Sequence, residues 1–492
     1  MRWHDLLDAT DVLEVFHDSP VDVSDVTHDS RAVRPGALFC CFPGAHRDGH
    51  DFATQAIDNG AVALLVEREV ELPTPQARVR SVRHVAGPVA ARVHGNPSHQ
   101  VPVVGVTGTN GKTTTTFLLE AIFTEAGRHP ALVGTAGVRY DGAAVGRASF
   151  TTPEAPDLQR ILADLVARGA DVVAMEVSSH ALAERRVDGT RFAAVGFTNL
   201  THEHLDYHGT IDEYFEAKAR LFTPEFASTA VINVEDERGA ALVARAEANG
   251  LDVVSFGVDP DARSSTPRVT ARQLELQPTG TRFRLAIDGA AADLRLPIAG
   301  RFNVANALAA SGLAHAIGIE FDVIAAGLAS TPGVPGRFES VGSGVPVSVI
   351  VDYAHTPAGI ANVLTAARSS SDGRIIAVFG CGGDRDTVKR AEMGEAAGSG
   401  ADAVVLTTDN ARSEDPAAIA AAAEVGLQTV GADYTIELDR RLAIRAALAS
   451  ARPGDTIVIL GKGAEATQQI GETLTPFDDR DVAAEEMAAR WN

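Results

Sequence analysis

Residues 101–123 read VPVVGVTGTNGKTTTTFLLEAIF. The apolar run before Gly108 predicts a strand, Gly108 and Gly111 a turn, and the segment from Lys112 a helix that ends at Gly127. Such a unit can hold a phosphate chain, because backbone amides at a helix N-terminus attract an anion when side chains stay clear. Gly108, Thr109, Asn110 and Gly111 supply the turn. Lys112 gives a point charge for the β and γ phosphates, and Thr113, followed by Thr114, a hydroxyl for Mg²⁺. The spacing is unusual. An ordinary phosphate loop has its first glycine five residues before the second; here that position is Val106, and Gly108 lies only three back. The competing reading is a plain strand-to-helix turn with a surface lysine. Glycine, lysine and hydroxyl all falling at the helix start argue against it.

Outward from this unit the pattern of strand, turn and helix repeats. DVVAMEV and FAAVGFTNL are unbroken apolar runs, as expected of strands covered on both faces. Leu158, Ile161, Leu162, Leu165 and Val166 recur at helical spacing, with Thr152 and Pro153 as the expected cap and first turn. A doubly wound parallel sheet follows for residues 99–331. Residues 1–98 alternate shorter strands and helices and end in the linker-like HGNPSHQVP. Residues 332–492 alternate again, with helices opened by Thr356-Pro357 and Asp415-Pro416, and predict a second parallel sheet. The expectation is an α/β chain of three domains: a smaller N-terminal α/β domain, a central phosphate-loop domain and a Rossmann-like C-terminal domain.

The chain has 492 residues, 45% hydrophobic and 22% charged, with a net charge of −22. The acidic balance argues against non-specific nucleic-acid binding. The charged start and the lack of a long apolar run predict a cytoplasmic protein without a membrane anchor. Three cysteines, two of them adjacent, make no disulfide framework and no zinc motif.

Residues 202–222, HEHLDYHGTIDEYFEAKARLF, carry the second set of chemical groups. Thr210 and Glu213 form a capping box, and Tyr214, Phe215, Lys218, Leu221 and Phe222 share one helix face. Lys218 therefore projects from an apolar side, either snorkelling to water or buried as a neutral amine able to add CO₂. HExxH fails, because Asp206 stands where the second histidine belongs. Glu176, ending an apolar strand, is a carboxylate suited to Mg²⁺ beside the phosphate loop.

The loop TGTNGKTT, with YFEAK around Lys218 and EHLD at 203–206, resembles the Mur ligases, amide-forming ATPases of peptidoglycan synthesis and cell-wall biogenesis. DSRAVRPGALFCCFPGAHRDGHDF, TTPEAPDLQ, MEVSSHAL and VDYAHTP are similar to the branch that adds the third peptide residue to UDP-N-acetylmuramoyl-L-alanyl-D-glutamate. The resemblance spans nearly the whole chain. It implies two Mg²⁺ ions, with Thr113, Glu176, His204 and a carbamylated Lys218 as ligands, and Lys112, Lys218, His204 and Glu176 as the catalytic set. It implies ATP as co-substrate, held additionally by Asn303, Asn306, Arg337, Asp352 and His355. Ser30, Thr151, Thr152, Ser178, Glu184 and Arg186 are the implied contacts of the UDP-muramoyl dipeptide; Glu184 stands where the family usually has glutamine. Small-molecule substrates are the only partners expected, and a monomer is expected.

The implied amino-acid pocket is Arg385, Asp409, Asn410, Arg412, Gly461 and Glu465. Relatives that add meso-diaminopimelate carry DNPR; here DNAR keeps the arginine and puts Ala411 for proline, and Ala464 replaces a usual histidine. Arg412 offers a two-pronged hold on the distal carboxylate of diaminopimelate. Its competing role is a helix-entry arginine paired with Glu414 or Asp415. Ala411 is expected to let the loop move, which leaves lysine, ornithine or another diamino acid as alternatives. A folate polyglutamylating ligase is the rival outside the pathway, and a nucleotide-controlled binding protein the rival outside catalysis.

Overall fold

The computed structural model describes residues 1–44, 47–146, 150–259, 267–277, 279–342, 344–371 and 373–491; Ala45 and His46 of the N-terminal motif lie outside them. Two compact units emerge: Met1–Leu200 with Asp212–Phe256 and Ala309–Gly327, and Thr201–Ile211 with Gly257–Leu308 and Leu328–Asn492.

In the first unit, β1 (Val12–Phe16), β2 (Asp25–Thr27), β3 (Ala37–Cys40), β4 (Ala61–Val66) and β5 (Gln76–Val79) form a sheet in the order β1-β5-β4-β3-β2. Helix Val82–Val93 covers one face with Val82, Ala86, Val89 and Ala90, which share a core with Leu38, Cys40, Ala63 and Leu65. The main sheet starts with β6 (Val103–Thr107), β7 (Pro130–Gly134), β8 (Gly137–Tyr140) and β9 (Ala143–Gly146). It continues with β10 (Val172–Glu176), β11 (Ala194–Phe197), β12 (Thr229–Asn233) and β13 (Asp252–Val258). The spatial order is β13-β12-β11-β6-β10-β7-β8-β9, parallel except at β8 and β9. The chain leaves β6 for β7, returns to insert β10 between them, then places β11 on the other side of β6. The loops after β6, β10 and β11 thus meet at the point where winding reverses, the position where open α/β sheets bind ligands.

The second unit holds an antiparallel meander of β14 (Val269–Gln277), β15 (Gly280–Ile287) and β16 (Ala290–Leu296). It also holds β17 (Glu339–Ser340), β18 (Ser348–Asp352), β19 (Ile375–Phe379), β20 (Ala403–Leu406), β21 (Tyr434–Ile436) and β22 (Thr456–Leu460), ordered β17-β18-β22-β19-β20-β21. A hairpin, β23 (Thr467–Ile470) and β24 (Thr473–Pro476), follows. Thr356 and Asp415 cap their helices as expected, accepting from the amides of Gly359 and Ala417.

Three expectations are corrected. The helix expected to open at Thr152-Pro153 begins at Ala155, with Pro156 in its first turn; Thr152 Oγ1 instead donates to the Glu176 carbonyl at 2.8 Å. The meander interrupts what read as uninterrupted strand-helix winding, because its β14 and β16 alternate apolar and polar residues too imperfectly to stand out. The C-terminal sheet is not wholly parallel, since β17 pairs antiparallel with β18.

All three cysteines are free and buried, and burial pushes the Cys41 and Cys381 thiols up to about 12. Among the described residues no helix is long and apolar enough to cross a membrane.

Candidate active site

Helix Lys112–Glu125 follows β6 directly, with Gly111 in the left-handed conformation at its N-cap and no side-chain cap. Its first turn is therefore the end offered to an anion. Lys112 Nζ folds back onto the carbonyls of Gly108 (2.8 Å) and Thr109 (3.0 Å), over the loop it belongs to. The two preceding amides are already used: Thr109 N donates to the Asn199 carbonyl (2.8 Å) and Asn110 N to Asn199 Oδ1 (2.9 Å). The amides of Thr109 and Asn110 therefore face the segment after β11.

Glu176, 1% exposed, ends β10 beside this turn. Thr113 Oγ1 donates to its carboxylate, 3.0 Å from each oxygen. Thr135, which the sequence reading missed, donates its amide (2.9 Å) and its hydroxyl (3.1 Å) to the same carboxylate. Thr135 Oγ1 also lies 3.1 Å from Thr151 Oγ1. A Cβ at Gly134 would run into Glu176 Oε1, so β7 must carry glycine there. A hydroxyl and a carboxylate held together at a helix start are hard oxygen donors of the kind Mg²⁺ takes.

The expected dipeptide contacts lie next to this cluster. Thr152 Oγ1 accepts from Ser178 N at 3.1 Å, and Ser178 caps the helix Ser179–Ala183. Arg186 donates to the Thr152 carbonyl (3.2 Å) and is flanked by two carboxylates, Glu154 at 3.1 Å and Glu184 at 2.6 Å. Its guanidinium lies 4.3 Å from the Phe150 ring centre. Ser30 sits in a short 3-10 turn between β2 and β3, donating to Gln55 Oε1 at 2.7 Å.

Lys218 is 2% exposed. The snorkelling reading fails: Tyr214 and Phe215 are buried with it, and Nζ lies 4.5 Å from the Tyr214 ring centre; the helix is Ile211–Ala219, so Leu221 and Phe222, expected on the same helix face, lie buried just past its end. The Tyr214 hydroxyl is 3.1 Å from Thr109 Oγ1, which ties this helix to the phosphate loop.

In the second unit His204, in the left-handed conformation, precedes a short helix. The buried carboxylate beside it is Glu203, with His355 Nε2 at 3.4 Å, His204 Nε2 at 3.8 Å and Lys389 Nζ at 3.9 Å. Burial opposes its ionisation, yet the hydrogen bond from His355 and the three nearby cationic groups hold its carboxyl well below the usual carboxylate range. Sequence reading assigned Glu203 only as a family substitute; no local signal pointed to Lys389. Burial pushes the Asp352 carboxyl up against the pull of Arg337, and it accepts from the amides of Phe338 and Ala354, both 2.7 Å. Arg337 lies over Tyr353, 4.3 Å from the ring centre. Asn303 and Asn306 are buried and bonded to each other at 3.2 Å.

The expected amino-acid pocket forms at the carboxyl ends of β20 and β22. Asn410 Nδ2 donates to Glu465 Oε2 (2.8 Å), and its Oδ1 accepts from Gln469 N (2.9 Å). Gly461 has φ +113°, and a Cβ there would run into Asp409. Arg412 donates to the Gly383 carbonyl, while Glu414 is taken by Arg390 at 2.8 Å. The helix-entry pairing of Arg412 with Glu414 is therefore not made. Arg385 lies alongside on the 382–386 turn. Ala411 does not loosen the loop as expected: it is fully buried, and backbone bonds Gly383 N→Asn410 O (2.9 Å) and Arg412 N→Gln469 O (3.1 Å) stitch both sides. Two helpers escaped the sequence reading. Arg440, wholly buried, donates to the Leu460 carbonyl at 2.9 Å and makes a two-pronged pair with Asp479, both bonds 2.7 Å. Gln468 Nε2 donates to the Asp409 carbonyl at 3.0 Å.

An uncapped helix start, a hydroxyl–carboxylate donor pair and, in the second unit, an arginine-bearing loop are groups that an ATP-using ligase needs, and comparison with known proteins gives that class. Residues 22–104 match the model of the Mur ligase family, catalytic domain, 106–314 that of the Mur ligase middle domain, and 336–463 that of the Mur ligase, glutamate ligase domain. The chain belongs to the Mur ligase family, enzymes that use ATP to form amide bonds. It is 42% identical over 487 residues to the UDP-N-acetylmuramoyl-L-alanyl-D-glutamate–2,6-diaminopimelate ligase of Alkaliphilus metalliredigens, covering 99% of this chain and 97% of that one. It is 43% identical to the ligase of the same name from Gloeobacter violaceus, over 100% and 99% of the two chains. A solved structure of a ligase of that name superposes with a TM-score of 0.69 at 31% identity, covering 96% of each chain.

Proposed function

We propose that this protein joins meso-diaminopimelate to the D-glutamyl side chain of UDP-N-acetylmuramoyl-L-alanyl-D-glutamate, with ATP cleaved to ADP and phosphate, in the cytoplasmic phase of peptidoglycan synthesis. In this reading residues 1–98 hold the uridine nucleotide through Ser30, 99–331 bind ATP and the muramoyl dipeptide, and 332–492 bind the amino acid. The observation that supports the amino-acid assignment is the backbone-bonded DNAR loop, which carries Arg412 two residues from Asn410, itself paired with Glu465. Arg412 suits a distal carboxylate and Glu465 an ammonium, and diaminopimelate carries both on one carbon.

The γ-phosphoryl group passes to the glutamyl carboxylate: an oxygen–phosphorus bond forms, the bond to the β-phosphate oxygen breaks, and ADP leaves. The amine of the diamino acid attacks the acyl phosphate, phosphate departs, and the amine proton is lost to solvent. Lys112 and the first helix turn from Gly111 to Thr114 hold the triphosphate; Asn303, Asn306, Arg337, Asp352 and His355 are the proposed remaining ATP contacts. Arg186, with Thr151, Thr152, Ser178 and Glu184, orients the dipeptide. Thr113, Glu176, His204 and a carbamylated Lys218 are the proposed ligands of two Mg²⁺ ions, which when bound would neutralise phosphate and carboxylate charge. Lys218 is proposed to carry the carbamate, formed when its uncharged amine adds CO₂ with loss of one proton.

The test is one incubation of the protein with ATP, Mg²⁺ and UDP-N-acetylmuramoyl-L-alanyl-D-glutamate against a panel of amino acids, weighing the product and measuring phosphate. The expected result is one phosphate per product and strong preference for meso-diaminopimelate. Preference for lysine or ornithine overturns the amino-acid assignment, and use of folates in place of the nucleotide sugar overturns the whole reading.

A further inference from the structure

The shortened phosphate loop raises a physical question. Val106 stands where an ordinary loop has its first glycine, and here it is fully buried in β6, paired with Glu176 of β10 and Gly196 of β11. Something else must shape the turn. Thr198 and Asn199, the two residues after β11, do so through four hydrogen bonds. Asn199 takes the Thr109 amide on its carbonyl (2.8 Å) and the Asn110 amide on Oδ1 (2.9 Å). Its Nδ2 donates to the Asn110 carbonyl at 3.1 Å, and Thr198 Oγ1 donates to the same carbonyl at 2.6 Å. The Asn199 amide thus pairs with the peptide groups of Asn110 as a neighbouring strand would, and both lone pairs of the Asn110 carbonyl are used.

The same contact accounts for Gly108. Its φ is +150°, and an added Cβ would run into Thr198 Oγ1 and lie 3.1 Å from Asn199 N. Glycine is demanded there by the approach of this pair from outside the loop, with no reference to phosphate.

We infer that Thr198 and Asn199 are positioning residues for nucleotide binding: they fix the outer half of the loop against β11, so that the Gly111–Thr114 turn is presented to phosphate already ordered. Neither needs to touch the nucleotide. Without them the segment 108–110 must be ordered when ATP binds, and affinity falls by that ordering cost.

The inference rests on the ligase reading only for its kinetic arm. Binding of MgATP to the full chain, followed by calorimetry, needs no turnover. Asn199→Ala is expected to weaken MgATP binding about tenfold, as loss of two hydrogen bonds to the backbone of Asn110 implies. Thr198→Val, which keeps shape and loses the donor, is expected to weaken it about threefold, and Thr198→Ser to restore it. In turnover, KM for ATP rises in the same proportions, while KM for the muramoyl dipeptide and kcat at saturating ATP stay within about twofold. Wild-type MgATP affinity in Asn199→Ala overturns the inference. So does an equal loss for ATP and the dipeptide, which would mean general damage. Should Asn199→Ala not be recovered folded, Thr198→Val against Thr198→Ser decides it: equal affinities for the two overturn the inference. If no product forms with any substrate but the binding order holds, the ligase reading fails and the clamp stands.

Discussion

Lys218 and Glu184 show how much a single residue's meaning depends on its surroundings. By spacing alone Lys218 could have reached water. The fold closes that route, because its helix face is buried along its whole length. If Lys218 carries the proposed carbamate, Lys218→Ala should remove turnover, with part regained on adding a short carboxylic acid in place of the carbamate oxygens; product formation with and without the acid checks this. Glu184 is a departure whose consequence the geometry defines. Arg186 sits between Glu154 and Glu184, so one cation meets two carboxylates where the anionic dipeptide is proposed to bind. Glu184→Gln leaves one pair and relieves the excess negative charge. KM for the muramoyl dipeptide should fall about threefold, the size expected of a half-buried charge pair, with KM for ATP unchanged.

At the scale of elements, the loops at strand ends carry the chemistry while the strands fix where they meet. The phosphate loop, Glu176 and Asn199 follow β6, β10 and β11, which neighbour one another only because winding reverses at β6. The DNAR loop is a second case. Its rigidity comes from backbone bonds to Gly383 and Gln469, so proline at 411 is not what holds it. Ala411→Pro should change KM for meso-diaminopimelate by less than about twofold, since the loop's bonds use the Ala411 carbonyl, which proline keeps, and not its amide. Arg412→Ala should lower kcat/KM for meso-diaminopimelate at least about tenfold, by loss of a charge-assisted pair, and leave the weak activity with lysine nearly unchanged. Competition assays with both amino acids give the ratio. Much of this was legible beforehand: Thr356 and Asp415 caps, apolar strand runs and the loop itself have local signatures. The Thr152 start was misplaced because Thr-Pro fits a helix entry equally well two residues early, and the hydroxyl found a better partner in the Glu176 carbonyl.

Across the whole molecule, stability and function meet at Arg440 and Asp479, both wholly buried and separated by 39 residues in sequence. The pair braces the carbonyl end of β22 next to Gly461. Removing one partner leaves a buried charge uncompensated, so Asp479→Ala should destabilise the second unit by about 3–5 kcal/mol. The measurement is the urea midpoint of the unfolding transition that reports on that unit, since a chain of two compact units need not unfold in one step. No sequence signal marked these residues, because a buried ion pair between distant segments has no local period. The sequence by itself determined the α/β alternation, the phosphate-loop unit, the family and the residue types of its site, since each is written in contiguous spacing of apolar, glycine and charged residues. The tertiary structure alone decided that Lys218 is buried, that Arg412 is not spent on Glu414, that Thr135 meets Glu176 and Lys389 meets Glu203, and that Asn199 shapes the loop. Those facts depend on which strand ends lie side by side, and that is settled by packing over the whole sheet, beyond the reach of any local pattern.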